Sequence, residues 1–276
     1  MSGFAQKMVV FLLILFAVFT LGSIAPLPAK ANADDNAWPM FMHDTQHTGR
    51  TEYSGCDSPR VKWTFDAHNP ISSTPAIDKE GTIYLLTTSG TLFAISPLGE
   101  EMWRFETGTG LPAASFWVTP LIDPEGNIYF GAADRFFALK KNGSSKWEAT
   151  IGGRVTGSPN LKGLRILQAT TDRLEFIDVR NRDSLGYLST GSPYLPPAVA
   201  EDESFYSPSE GYLWAFSSDI VYLWQFFVGI DKPVFSPSIG PDGTIYFRSD
   251  QKLYAVNPDG SEKWSVNFQG TALPAI

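Results

Sequence analysis

Three residues near the start of the chain, His43, Asp44 and His47, have side chains that commonly bind metal ions. On a helix, two histidines four residues apart would share one face, and the carboxylate between them could supply an oxygen ligand. The surrounding sequence has no apolar stripe of helical period. Its apolar side chains are Trp38, Phe41 and Met42. We therefore interpret the segment as a lead-in that packs on the fold, and we predict no metal site.

Carboxylates are the other residues that could support catalysis, because facing pairs of them act as acid and base in hydrolases. Asp78, Asp123 and Asp242 each stand just before a glycine in one recurring polar segment. Aspartate followed by glycine is typical of a tight turn, so turn formation explains them better. No Ser/His/Asp arrangement or phosphate-binding loop is recognisable. The sequence predicts no catalytic residue, and we do not expect an enzyme.

Tryptophan recurs with a period of about forty residues. The series consists of Trp63, Trp103, Trp147, Trp224 and Trp264. Tyr187 stands where the spacing would place one more, so that the successive gaps are 40, 44, 40, 37 and 40 residues. A period of this length indicates a chain of structural repeats.

Proline marks a second series with the same period. Segments of the form Pro-x-apolar begin at Pro75, Pro120, Pro159, Pro197, Pro237 and Pro274. Between each proline and the next tryptophan lie two further β-rich runs, separated by polar turns and glycine. Four short strands of this kind form one blade of a β-propeller. We expect inner strands near residues 72–78, 116–122, 155–161, 195–200, 234–239 and 272–276.

The predicted fold is therefore all-β: a β-propeller of about five complete four-stranded blades plus partial ones. Its composition agrees, because 14% aromatic residues with 24 glycines and 20 prolines suit short strands joined by tight turns. A single blade cannot bury both of its faces. We expect the recurring tryptophan to fill the space between adjacent blades.

The repeats resemble a known family. Residues 90–103 (GTLFAISPLGEEMW) and 253–264 (LYAVNPDGSEKW) are similar to PQQ-like, or quinoprotein-like, propeller repeats, in which a strand leads through a glycine turn to tryptophan. Residues 38–49 (WPMFMHDTQHTG) resemble the lead-in of many secreted members. The resemblance covers about residues 38–276, and it identifies the fold better than the activity.

Family members that oxidise alcohols bind pyrroloquinoline quinone with Ca²⁺, an acidic base, a tryptophan beneath the ring and often two adjacent cysteines. This chain has one cysteine, Cys56, and lacks the Asp-x-x-Thr-Gly turn of those enzymes. We expect no cofactor. The resemblance implies instead a secreted non-enzymatic member, similar in type to the propeller of the outer-membrane β-barrel assembly machinery.

The first residues predict export. Lys7 precedes an apolar run from Met8 to about Ala25, and Ala31 and Ala33 suit a cleavage site after Ala33. The run is nearly long enough for a retained anchor, and that alternative stays open. Cleavage removes two lysines and no acidic residue, which takes the formal net charge from −8 to −10. We expect a signal peptide (1–33), a lead-in segment (34–60) and PQQ-like repeats (61–276), with the mature domain outside the cytoplasm and not inserted in a membrane.

Two classes of function remain from the sequence. No basic track is present, so nucleic acid is excluded as a partner. Aromatic residues that exceed the repeat could contact a protein or a glycan. They are Phe116, Trp117, Tyr194, Trp214, Phe226 and Phe227. We expect a binding scaffold; the alternative is a quinoprotein-type or other propeller enzyme whose site residues lie beyond Ile276.

The repeat count leads to an expectation about the ring. Residues 61–65 have the form of an outer strand with no inner strands before them, and residues 271–276 have the form of an inner strand alone. We expect an incomplete seven- or eight-bladed ring, with an open arc, an unpaired edge at Ile276, and residues 61–65 outside any complete blade.

Overall fold

Five antiparallel sheets of four strands follow one another along the chain. The structure is a computed structural model that describes residues 37–51, 54, 57–71, 73–110, 118–189, 195–230, 232–268, 270 and 273–276. In each sheet the strands pair in sequence order, as a meander. This arrangement confirms the predicted all-β propeller blades. We number the sheets as blades 1 to 5 in chain order.

Each blade has a short inner strand, two middle strands and an outer strand. Blade 1 contains β1 (Ala76–Ile77), β2 (Ile83–Leu86), β3 (Thr91–Ile95) and β4 (Glu101–Glu106), and blade 2 contains β5 (Leu121–Ile122), β6 (Ile128–Ala132), β7 (Arg135–Leu139) and β8 (Ser145–Thr150). Blade 3 contains β9 (Asn160–Lys162), β10 (Arg165–Ala169), β11 (Leu174–Asp178) and β12 (Ser184–Leu188). Blade 4 contains β13 (Ala198–Val199), β14 (Phe205–Ser209), β15 (Tyr212–Phe216) and β16 (Tyr222–Phe227), and blade 5 contains β17 (Ser238–Ile239), β18 (Ile245–Arg248), β19 (Lys252–Val256) and β20 (Glu262–Asn267).

Burial changes from the middle of a blade to its rim. All five residues of β6 are buried, whereas β8 alternates between exposed and less exposed side chains. A strand covered on both faces carries a continuous apolar run, and a strand at the rim alternates. The core therefore lies between the blades.

The inner strands are shorter than predicted, with two or three residues each. Each begins directly after its proline, as β1 does after Pro75 and β9 after Pro159. Proline has no N–H to donate, so the ladder cannot extend through it. The predicted inner strand at 116–122 falls partly outside the described residues.

The recurring aspartates form turns between the inner and second strands. The Asp78 carboxylate accepts hydrogen bonds from the backbone N–H groups of Glu80 and Thr82, at 3.0 and 2.8 Å. Gly81 in the same turn has a φ of +82°, which glycine adopts without strain. Asp123 accepts the corresponding two bonds in blade 2. These side chains stabilise the backbone of the turn.

One contact links each blade to the next. The indole Nε1 of Trp103 donates to the carbonyl oxygen of Lys141 in the outer turn of blade 2, at 3.1 Å. The same bond joins Trp63 to Pro97 (3.1 Å), Trp147 to Val179 (3.1 Å) and Trp224 to Pro258 (2.8 Å). A Cβ added at Gly143 would lie 2.6 Å from the Trp103 ring, so the turn must present glycine there. Each ring therefore lies on the backbone of the following blade.

Blade 3 departs from this pattern, and one sequence assignment is wrong there. In the other blades the tryptophan pairs with an alanine of the third strand, such as Trp147 with Ala138. In blade 3 the corresponding pair is Gly186 and Phe176, while Tyr187 pairs with Glu175. Tyr187 thus lies one residue beyond the tryptophan position. Successive residues of a strand face opposite sides, so its ring leaves the interblade contact.

The lead-in segment, residues 37–50, runs across the inner strands. Its carbonyl oxygens accept hydrogen bonds from the residue two positions after five of the six prolines: Ile77 to Trp38, Ile122 to Pro39, Val199 to Thr45, Ile239 to Gln46 and Ile276 to Thr48, at 2.7–2.9 Å. The lead-in thereby replaces the neighbour that an inner strand otherwise lacks. Ile276 is thus bonded on its lead-in side, whereas on the side where a second strand lies in the blades the described residues 273–276 pair with no strand, as expected.

The five blades form an open arc. Among the described residues, no strand pairing joins blade 5 to blade 1, and residues 61–65 belong to no strand. Trp63 nevertheless packs on the outer turn of blade 1, as a preceding blade's tryptophan would. No helix within the described ranges is long and apolar enough to cross a membrane.

Candidate functional site

The outer strands differ in the residues they present to solvent. Relative to the tryptophan position, the residues at −2, −1, +1 and +3 are on the outside. They are Glu101, Met102, Arg104 and Glu106 in β4; Ser145, Lys146, Glu148 and Thr150 in β8; and Glu262, Lys263, Ser265 and Asn267 in β20. Charged side chains at these places discourage the edge from pairing with other chains. Three blades therefore have protected rims.

Blades 3 and 4 carry no charge at these positions. The residues there are Ser184, Leu185, Tyr187 and Ser189 after β11, and Tyr222, Leu223, Gln225 and Phe227 in β16. We call Leu185, Tyr187, Tyr222, Leu223 and Phe227 the apolar surface; each of these side chains is 46–55% exposed. Exposed apolar residues grouped in this way mark sites of interaction.

A row of aromatic rings supports the blade 4 part of this surface. Phe227 packs on Tyr212 at 5.0 Å between centroids, Tyr212 on Trp214 at 5.5 Å, and Trp214 against Tyr222 at 6.1 Å. The Trp214 Nε1 donates to the Ser209 hydroxyl at 2.8 Å. Because their neighbours hold these rings in place, the exposed ones offer contact area at little cost in conformational entropy.

Of the predicted contact aromatics, the structure describes Trp214, Phe226 and Phe227. Trp214 lies at the junction of blades 3 and 4, half-buried, while Phe226 packs against the core and Phe227 belongs to the apolar surface. Phe116, Trp117 and Tyr194 lie outside the described residues. Sequence reasoning missed Tyr222 and Leu223, although the absence of charge around Trp224 was the signal that could have indicated them.

The lead-in segment borders a depression of about 840 Å³, where His43 and Asp44 lie. Asp44 accepts hydrogen bonds from the backbone N–H and the hydroxyl of Thr48, and so stabilises a local turn. His47 is buried: its Nδ1 lies 3.0 Å from the Pro237 carbonyl oxygen and its Nε2 lies 3.2 Å from the Asn160 amide. A carbonyl only accepts, so Nδ1 carries the proton and Nε2 accepts.

Burial lowers the pKa of His47 to about 4, since the charged ring would lose its hydration, although the bond to Pro237 and the charge of Asp44 oppose this shift. His47 is therefore neutral near pH 7 and holds the lead-in segment to blades 3 and 5. Within the described residues, no three His, Cys, Asp or Glu side chains converge on a metal position.

The described residues do not fit a quinone–calcium site. Such a site needs a tryptophan face beneath the ring and a group of acidic ligands. Trp63, Trp103, Trp147 and Trp224 each lie between blades or on the first one, with Nε1 bonded to a turn carbonyl. Asp78 and Asp123 are held in turns by backbone N–H groups. No step of quinone chemistry can be derived from these side chains.

Five meandering sheets, linked by a recurring tryptophan and spanned by a lead-in segment, define a PQQ-like β-propeller. The family model described as outer membrane protein assembly factor BamB matches residues 99–274. That match covers more than half of the chain, and the chain belongs to this family.

Solved structures share the fold at low sequence identity. BamB from Moraxella catarrhalis is 16% identical with a TM-score of 0.59, over 75% of this chain and 80% of that one. The quinohemoprotein alcohol dehydrogenase ADHIIG from Pseudomonas putida is 11% identical with a TM-score of 0.67, over 85% of this chain and 48% of that one. No curated protein sequence matches this chain. The two structures show the fold and leave a scaffold and an enzyme both open.

Proposed function

We propose that this protein is an extracytoplasmic binding scaffold that holds another protein and catalyses no reaction. The observation that carries the proposal is the uncharged rim of blades 3 and 4, beside three blades whose rims are charged. Membership of the BamB family supports it, because the family description is that of an assembly factor. Lys7 and the apolar run after it support export through a cleaved signal peptide ending near Ala33.

A protein partner suits this surface better than a glycan. The apolar surface combines aliphatic and aromatic side chains along the outer edges of two sheets. Aromatic anchors surrounded by other apolar contacts carry most of the affinity of protein interfaces. The described residues that lie outside the rim provide turns and blade contacts.

Site-specific photo-crosslinking tests the proposal. A photoreactive phenylalanine analogue is placed at Leu223 in one variant and at Met102 in another, in cells that express the full chain. The two positions are equivalent in β16 and β4, and both are about half exposed, at 49% and 57%. We expect a discrete protein crosslink from Leu223 and none from Met102.

Substitution of the rim should remove that crosslink. Tyr222→Glu with Phe227→Asn gives β16 the residues that β20 has at the same positions. We expect binding to weaken at least about tenfold, since a central contact contributes about 1.4 kcal/mol or more. Met102→Lys is the control and should leave binding unchanged. Equal crosslinks from both positions, or quinone-dependent alcohol oxidation by the purified protein with Ca²⁺ and the quinone, would contradict the proposal.

A further inference from the structure

A groove of about 410 Å³ lies between blades 3 and 4, where the interblade tryptophan is missing. In the other junctions an indole N–H donates to the carbonyl of the outer turn. The equivalent carbonyl in blade 4 belongs to Ser218, and the Lys162 Nζ donates to it instead. The glycine that lies beneath Trp63, Trp103 and Trp224 is replaced here by Ile220, with a φ of +64°. The groove is thus a product of the break in the repeat.

Lys162 forms the floor of the groove. Lys162 is only 4% exposed, and its Nζ lies 5.5 Å from the centre of the Phe205 ring. Burial and the neighbouring Arg165 both lower its pKa. Within the described structure, Lys162 forms no ion pair within 4 Å. A buried ammonium with one hydrogen bond retains two N–H groups for a further acceptor.

Arg165 lies in the same groove, also without an ion pair in the described part of the chain. Its Nε and Nη1 atoms are buried and have no hydrogen-bond partner among the described residues. The third cation of the groove, Arg180, is neutralised by Asp178, and this pairing holds the pKa of Asp178 at about 2. Glu203 and Asp219 are exposed and line the same groove, and their charges oppose the lowering of the Lys162 pKa. Lys162 and Arg165 therefore have carboxylates in the groove but, within the described residues, no ion pair within 4 Å.

The groove is continuous with the apolar surface. Leu185 belongs to that surface and lines the groove, and Leu164, which is 55% exposed, lies beside it. A ligand that enters the groove therefore touches aliphatic side chains on its way to the two cations. Guanidinium and ammonium groups together bind a carboxylate through charge-assisted hydrogen bonds.

We propose that this groove receives an acidic side chain of the protein partner, whose carboxylate binds Lys162 and Arg165 while neighbouring apolar residues contact Leu164 and Leu185. The inference rests on the proposed function and names the chemistry of the partner segment. It is a short stretch with one aspartate or glutamate among apolar residues. A carboxylate bonded to both groups would supply the direct ion pair that neither has among the described residues.

Titration of the purified protein tests the groove without the partner. N-acetylglutamate is the probe, its neutral isostere N-acetylglutamine is the control, and the Arg165 Nε–H resonance is observed by NMR. We expect a saturable shift with a Kd on the order of 1–10 mM for the acid and none for the amide. No saturable shift, or equal shifts with both compounds, would overturn the proposal. Saturation by inorganic phosphate alone would also overturn it, in favour of a phosphate site.

Two variants connect the groove to the partner. Lys162→Met should abolish the shift, and Lys162→Met and Arg165→Gln should each reduce the Leu223 crosslink about tenfold, whereas Arg104→Gln on β4 should change neither. If a variant fails to fold, the titration of the unaltered protein still shows whether the groove binds a carboxylate. A Leu223 crosslink that persists while the acid does not bind leaves the scaffold intact and refutes the groove. Acid binding without any crosslink refutes the scaffold as described.

Discussion

Blade 3 and the other four blades solve the same packing problem with different residues. In blade 2, a tryptophan on the outer strand faces a small alanine on the third strand, as Trp147 faces Ala138. In blade 3 the sizes are exchanged, with Gly186 on the outer strand and Phe176 on the third. Phe176 is buried against Phe205 of blade 4, at 5.8 Å between ring centres. The comparison shows that a phenylalanine of the third strand supplies apolar packing between blades 3 and 4, where other blades use a tryptophan of the outer strand.

The exchange has consequences on both sides of the junction. Without an indole above it, the turn of blade 4 accepts Ile220 where blades 1, 2 and 5 have glycine, and Ile220 packs on the apolar cluster around Phe176. Because no indole reaches the turn carbonyl of Ser218, that carbonyl accepts a hydrogen bond from Lys162. The cationic groove and the uncharged rims both lie at this junction, so the least regular blade boundary carries the candidate site.

Blade 3 also meets the lead-in segment differently. In the other blades a backbone N–H of the inner strand donates to a lead-in carbonyl. In blade 3 the Leu161 N–H donates to its neighbour Asn160, at 2.7 Å, and the Asn160 amide donates to Thr45 (2.9 Å) and Pro197 (2.8 Å). A side chain therefore replaces the backbone bond.

The largest expected effect contrasts a tryptophan with the tyrosine next to the corresponding place. Trp147→Ala should lower the free energy of unfolding by about 3–5 kcal/mol, because it opens a cavity between blades and leaves the Val179 carbonyl without its donor. Tyr187→Ala should cost less than about 1 kcal/mol, since Tyr187 is 55% exposed and contacts Arg173. Urea unfolding measures both. Equal losses would show that Tyr187 fills the interblade position after all.

The second effect concerns His47, which bonds blade 3 through Asn160. The pKa of His47 lies near 4 in the fold and near 6.5 in the unfolded chain, so the unfolded state binds more protons between these values. Stability should therefore fall as the pH is lowered from about 6.5 to 4, by about 3 kcal/mol in all. The difference between wild type and His47→Gln, measured by urea unfolding at each pH, isolates this part. His43→Gln should keep the dependence, and its loss there would contradict the assignment.

The third effect compares two equivalent inner-strand positions. Asn160→Ala removes the bonds to Thr45, Pro197 and Leu161 and should cost about 2 kcal/mol. Ser238→Ala in blade 5 removes one bond, to the Pro274 carbonyl, and should cost less than about 1 kcal/mol. Thermal unfolding of the two variants in the same buffer measures the loss of stability in each. A larger loss from Ser238→Ala would mean that blade 3 is not anchored by its side chain.

The smallest effect compares the turn residues beneath the junctions. Gly143→Ala should cost about 1–2 kcal/mol, because alanine at a φ of +82° is strained and its Cβ meets the Trp103 ring. Ile220→Gly should change stability by less than about 1 kcal/mol, as relief of the same strain offsets lost packing. Urea unfolding of both variants measures the two changes in stability. A severe loss from Ile220→Gly would show that the isoleucine side chain fills the place of the ring.

Much of the fold followed from local pattern. The forty-residue period predicted four-stranded blades, and the five sheets occur where the tryptophan and proline series place them. Blade 3 was misassigned at one residue because glycine occupies its tryptophan position, while the 40-residue spacing from Trp147 and the aromatic side chain both pointed to the neighbouring Tyr187. An error of one residue in a strand exchanges the face to which a side chain is assigned.

The sequence by itself determined the repeat, the turns and the place of each blade, because these depend on residues within about forty positions of one another. Only the tertiary structure decided that His47 is a buried contact rather than a ligand, since its partners Asn160 and Pro237 lie 113 and 190 residues away. The same holds for the apolar surface and the groove. They arise where two blades meet, and their chemistry depends on which side chains the packing leaves exposed or without a partner.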